Sequence, residues 1–161
     1  MGGEFAQTGE WNAAVALPWP APGPTYAEGI GRLLGDLNGL YRRLPALHAA
    51  DDQPAGFLWL DPDDRRHSIY AYLRRSGSSV AVVVLNCTPV PRPGYRVGLP
   101  HAGDWVEQFN SDSAHYGGSN LGNLSRVPAE SVPAQGCPCS AVITLPPLAG
   151  VVLLPEPLVP L

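Results

Sequence analysis

The sequence predicts a mainly β protein: an antiparallel β-sandwich preceded by one helix. Three observations carry that expectation. Nineteen prolines and eighteen glycines take up nearly a quarter of the 161 residues, and breakers at that density leave little room for long regular elements. Beyond residue 50, short apolar runs alternate with turn signals, the rhythm of a sandwich or barrel. Between residues 26 and 48, apolar residues instead recur with a helical period.

The first 25 residues have no clean periodicity and carry Phe5, Trp11 and Trp19 among glycines and four prolines. Large rings with no partner element of their own point to packing partners elsewhere. From about Tyr26 to His48, Ile30, Leu33, Leu34, Leu37, Leu40, Tyr41 and Leu44 fall on one helical face. Pro45 ends or kinks that helix. Gly29, Gly31, Gly35 and Gly39 each cost it about 1 kcal/mol relative to alanine, which predicts close approach to a neighbouring element.

Seven strands follow: Phe57 to Leu60, Ile69 to Arg74, Val80 to Asn86, Tyr95 to Leu99, Trp105 to Asn110, Ser140 to Leu145 and Val151 to Leu154. Turns are expected at Asp61 to Asp64, Ser76 to Ser78, Pro89 to Gly94 and Ala102 to Asp104. The run Val80 to Leu85 is apolar on both faces and should be the most central strand. Asn110 to Val127 reads as one long polar loop, of a length that is usually functional or held by a neighbour.

Composition excludes several classes of function. The net charge is −4, and the ten basic residues, all arginine, are scattered as pairs and singles, so no nucleic-acid stripe forms. No run reaches 18 apolar residues, so no membrane span is expected. The first residues carry no basic region followed by an apolar stretch, which predicts no secretory signal and a soluble, cytoplasmic protein. Cys87, Cys137 and Cys139 make no complete disulfide framework and lack the further ligands of a zinc site. Reduced thiols, no metal and no cofactor are expected.

No active site declares itself. Gly29, Gly31 and Gly35 have the wrong spacing for a dinucleotide loop and no preceding strand. A calcium loop counted from Asp61 meets Arg66 and Tyr72 where glycine and glutamate belong. Two glycosylation-type tripeptides, at Asn86 and Asn123, read as chance. A Gly-x-Ser-x-Gly elbow is missing. Glu4, Glu10 and Glu28 show no spacing that pairs them for glycoside chemistry.

Longer strings carry more. Met1 to Gln7 followed by Glu10-Trp11-Asn12, the helix Asp36 to His48, Gly56 to Trp59, Asn86 to Arg92 with Tyr95-Arg96, Asn110 to Asp112, Tyr116 to Asn123, and Thr144 to Ala149 come in order along the chain. Together they resemble the C-terminal part of bacterial 1,4-alpha-glucan (glycogen) branching enzymes, glycosyltransferases of the alpha-amylase superfamily. The resemblance implies two parts. Residues 1–48 would be the last strand, loop and helix of a TIM-type catalytic barrel, and residues 49–161 an all-β C-terminal domain. The family's catalytic carboxylates lie on earlier barrel strands, so the chain would carry no catalytic residue and would have the missing barrel as its partner. It would be a fragment or a piece of a split enzyme of glycogen biosynthesis, in which the whole enzyme forms α-1,6 branches by retaining transglycosylation.

By the same resemblance, Glu4, Gln7 and Trp11 sit at the strand-8 end of the barrel and shape the substrate cleft. Ala16-Leu17-Pro18-Trp19 departs from the family's Ser-Leu-Asp-Trp, and Cys87 replaces a common phenylalanine. Two alternatives remain: a stand-alone glucan-binding or interaction sandwich, and a fragment of a related debranching or trehalose-releasing hydrolase. For the first, Tyr116 is the ring expected to be free to stack on sugar. The other rings of the β region fall in strand patterns, where packing is the usual role.

Overall fold

The structure is a computed structural model that describes residues 2–20, 26–124 and 126–156. Residues 21–25 of the first segment, Ser125 of the second glycosylation-type tripeptide and residues 157–161 of the β part lie outside the described residues. The elements are helix α1 (Tyr26–Arg43) and strands β1 (Phe57–Asp64), β2 (Ile69–Ser76), β3 (Ser79–Asn86), β4 (Arg92–Leu99), β5 (Gly103–Asn110), β6 (Arg126–Ala129), β7 (Cys139–Leu145) and β8 (Ala149–Pro155).

Six strands form one antiparallel sheet in the order β1-β2-β3-β8-β5-β6, and β4 pairs with β7 in a second. Between them lies the main core. Ile69, Ala71, Leu73, Val82, Val84, Trp105, Val151 and Leu153 of the large sheet meet Val97, Leu99, Ala141, Ile143 and Leu145 of the small one. Each fully buried aliphatic side chain stabilises this core by about 1.5–3 kcal/mol. The mainly β sandwich preceded by one helix is therefore the observed fold.

Strand β3 lies inside the large sheet, flanked by β2 and β8, as its unbroken apolar run required. Its alternate residues serve two cores. Val82 and Val84 face the small sheet, while Ala81 and Val83 join Val152 in a second cluster closed by Leu40 and Ala46. The molecule is thus three-layered, with the end of α1 and the turn after it lying on the outer face of the large sheet.

Three expectations need correction. Asp61 to Asp64 is not a turn but the bulged end of β1, with register shifts after Trp59 and after Asp61. Strand β1 is an edge, where Pro62 forfeits no ladder hydrogen bond. The long loop ends earlier than expected, because Arg126 and Val127 open β6. That strand has only four residues and contains Pro128, too short a run for alternation to show; buried Val127 anchors it. The apolar face of α1 is also less covered than its pattern implies. Leu40 is buried, but Leu37 and Tyr41 are exposed, and the helix ends at Arg43, two residues before Pro45.

Candidate functional site

Of the residues assigned to a substrate cleft, Gln7 and Trp11 line one small cavity of about 130 Å³, and Glu4 lies outside it. The Glu4 carboxylate accepts from the Gly2 amide at 2.9 Å, and Gln7 Nε2 donates to the Gly9 carbonyl at 3.1 Å. Trp11 is 56% exposed and Trp19 71%. Phe5 does find cover: it is buried, with the Trp19 ring centroid at 5.1 Å. Among the described residues, no three His, Cys, Asp or Glu side chains gather as metal ligands. All three cysteines are free thiols, and burial, with Cys139 next, pushes the Cys137 thiol up.

Polar chemistry concentrates instead in the 110–123 loop. The Asp112 carboxylate accepts from Ser119 N (2.9 Å), Ser119 Oγ (2.5 Å) and Leu121 N (3.2 Å). Asn110 Nδ2 donates to Glu107 Oε1 and to the Leu121 carbonyl, while its Oδ1 accepts from the Asp112 amide. Asn123 donates to Glu107 Oε2 and exchanges hydrogen bonds with the Thr144 backbone. Gly117 holds φ at +88°, and a β-carbon on Gly118 would collide with the Asp112 backbone. The loop is built by its own hydrogen bonds and by those that tie it to Glu107 of β5 and Thr144 of β7, each contributing about 1 kcal/mol net.

Tyr116 projects from this loop to α1, where its hydroxyl donates to Asp36 Oδ2 at 2.9 Å. His115 Nε2 stands 3.7 Å from the same carboxylate. Partial burial, then the Asp36 hydrogen bond and charge, push the Tyr116 phenol up to about 12. The ordinary phenol value is 10, so this clasp contributes fully below pH 10 and fades as pH rises toward 12. Tyr116 is therefore not the free ring expected of a sugar platform. Asp36 escaped the sequence reading because the two residues are 80 apart; the signal was its place on the same side of the helix as Gly29, two turns away.

Half-exposed rings lie elsewhere. On the outer face at the β1–β2 edge, Trp59 (47% exposed) and Tyr70 (43%) flank Phe57 and Tyr72. Centroid separations are 4.9 Å for Phe57–Trp59, 5.3 Å for Phe57–Tyr72 and 6.4 Å for Trp59–Tyr70. These rings pack along β1 and across to β2, as their strand positions implied, but two of them also face solvent.

A helix-capped antiparallel sandwich of this kind is a mainly β domain. Residues 59–156 match the alpha amylase, C-terminal all-beta domain family, and the chain belongs to that family. The 1,4-alpha-glucan branching enzyme GlgB of Cupriavidus necator is 51% identical over 160 residues, covering 98% of this chain and 21% of its own length. The enzyme of the same name from Methylococcus capsulatus is 50% identical over 155 residues, 96% of this chain and 21% of its own. The match falls on the C-terminal region of those enzymes, so the chain spans about a fifth of the length of the relatives it resembles. Among solved structures, the alpha-amylase from H. orenii superposes on 79% of this chain and 20% of its own, at 13% identity and a TM-score of 0.47. No described helix is long and apolar enough to cross a membrane.

Proposed function

We propose that this chain is the C-terminal part of a 1,4-alpha-glucan branching enzyme, working in the cytoplasm, in which residues 1–48 complete a catalytic barrel and residues 49–161 buttress it. Half of the matched positions are identical to such an enzyme over a match that spans nearly the whole chain, and that observation carries the reading. Glu4, Gln7 and Trp11 shape the glucan cleft of the assembled barrel, where exposed Trp11 and Trp19 gain their packing partners. The carboxylates for retaining transglycosylation come from the barrel. Residues 1–161 alone are therefore expected to leave the iodine absorbance of amylose unchanged. A progressive spectral shift with this chain by itself would contradict the assignment. The DNA preceding the Met1 codon supplies an independent check, since an in-frame barrel is expected there.

A second reading, glucan binding by the sandwich itself, is favoured by one feature: the half-exposed rings at the β1–β2 edge. A dissociation constant of 1 mM needs about 4 kcal/mol, within reach of two stacked rings at roughly 1–3 kcal/mol each by analogy with base stacking. Affinity electrophoresis in glycogen gels should then show weak retardation that Trp59→Ala abolishes and Tyr116→Phe leaves intact. Migration identical with and without glycogen removes this second reading and leaves the first untouched.

A further inference from the structure

We infer that the 110–123 loop is a preformed seat for helix α1, and that Gly29 and Tyr116 key the helix into it. The helix spans the outer face of the large sheet and, besides the packing of Gly3–Phe5 on it, is held at two points. At its C-terminal end, Leu40 and, after it, Ala46 pack on Ala81, Val83 and Val152. The Ala46 amide also donates to Ser79 Oγ at 3.1 Å. Under its middle lies a cavity of about 490 Å³, with Leu33, Leu37 and Tyr41 above and Tyr72, Val83 and Val152 below. Core packing of that stretch against the sheet is therefore incomplete, and the N-terminal half is held from elsewhere.

The loop supplies one such hold, beside Gly3–Phe5. Gly29 is buried against the loop, and a β-carbon there would collide with the Tyr116 carbonyl oxygen. Two turns on, the Asp36 carboxylate receives the Tyr116 hydroxyl. A loop already ordered by Asp112, Asn110 and Asn123 spends little further conformational entropy when the helix arrives. This explains why one helical glycine is needed where another is not: around Gly35, within 4 Å, nothing meets an added β-carbon. The inference rests on the proposed function only for what the helix carries, namely the rest of a barrel.

Amide hydrogen exchange on the 161-residue chain tests it with two glycine substitutions of opposite expected sign. Gly35→Ala adds only helix propensity and should raise the protection of α1 amides up to about fivefold. Gly29→Ala adds the same propensity, yet should lower that protection at least tenfold because the seat is lost. Tyr116→Phe, which removes one oxygen, should lower it about three- to tenfold and delete the phenol that is pushed up to about 12. Exchange at β3 and β8 should hold steady in all three variants. Equal gains in Gly29→Ala and Gly35→Ala, an unchanged helix in Tyr116→Phe, or equal losses in helix and sheet would each overturn the seat. The experiment involves neither glucan nor barrel, so its failure is distinct from failure of the branching-enzyme assignment.

Discussion

Trp105→Ala is expected to remove about 3–5 kcal/mol of stability, the usual range for deleting a buried large aromatic side chain. Trp105 has no exposed surface and stands on β5 between β8 and β6, paired with Pro155 and Val127. Its ring stacks on His101 at 4.9 Å, and Nε1 donates to the His101 carbonyl at 3.4 Å. Alanine would leave a void between the two sheets and strip cover from Val127, the one buried residue of β6. Domains of this size retain about 5–15 kcal/mol in all, so a large share would go. With urea slopes of about 1–3 kcal/mol per molar, the midpoint should fall by at least 1 M. Trp11→Ala is the control, because its exposed ring should change stability by no more than about 0.5 kcal/mol. Equal midpoints for the two variants would show that β5 does not close the core.

The sandwich was legible because its strands are punctuated by proline and glycine and because β3 is apolar on both faces. Seven of the eight strands can be placed from the sequence, within a few residues at their ends. What escaped depends on partners distant in the chain. Alternation puts Trp59 and Tyr72 on one face of the sheet, but it does not reveal that α1 covers Val83 and leaves Trp59 half in solvent. Tyr116 in a polar loop looks free until Asp36 comes alongside. The four helical glycines suggested close approach, and the structure divides them: Gly29 is pressed against Tyr116, whereas Gly35 has open space. Periodicity assigns a residue to a face, and only topology says what stands opposite.

Asn86 supplies the second large effect, through polar satisfaction instead of volume. It is 2% exposed at the end of β3 and uses its amide in both directions. Nδ2 donates to the Val90 carbonyl at 2.9 Å and the Pro146 carbonyl at 2.8 Å, while Oδ1 accepts from Thr88 N at 3.1 Å and Thr88 Oγ1 at 2.8 Å. One side chain thus ties the loop after β3 to the loop before β8. Water can reach the exposed Val90 after truncation, but Pro146 is fully buried and its carbonyl would be stranded. Asn86→Ala should therefore cost about 2–4 kcal/mol, most of it the desolvation of that orphaned group. Asn86→Asp is the sharper probe, since it keeps the shape and replaces the donor with an acceptor facing two carbonyls. Burial and the loss of that donor should raise the folded-state pKa of the introduced carboxyl above its unfolded value of about 3.9. The protonated acid restores one donor, so the variant should approach wild-type stability below pH 4. It should then lose stability as pH climbs through the raised pKa. Thermal melts of wild type and variant at pH 4 and pH 7 would read this directly. A deficit that is the same at both values would mean that water, and not Asn86, already satisfies the Pro146 carbonyl.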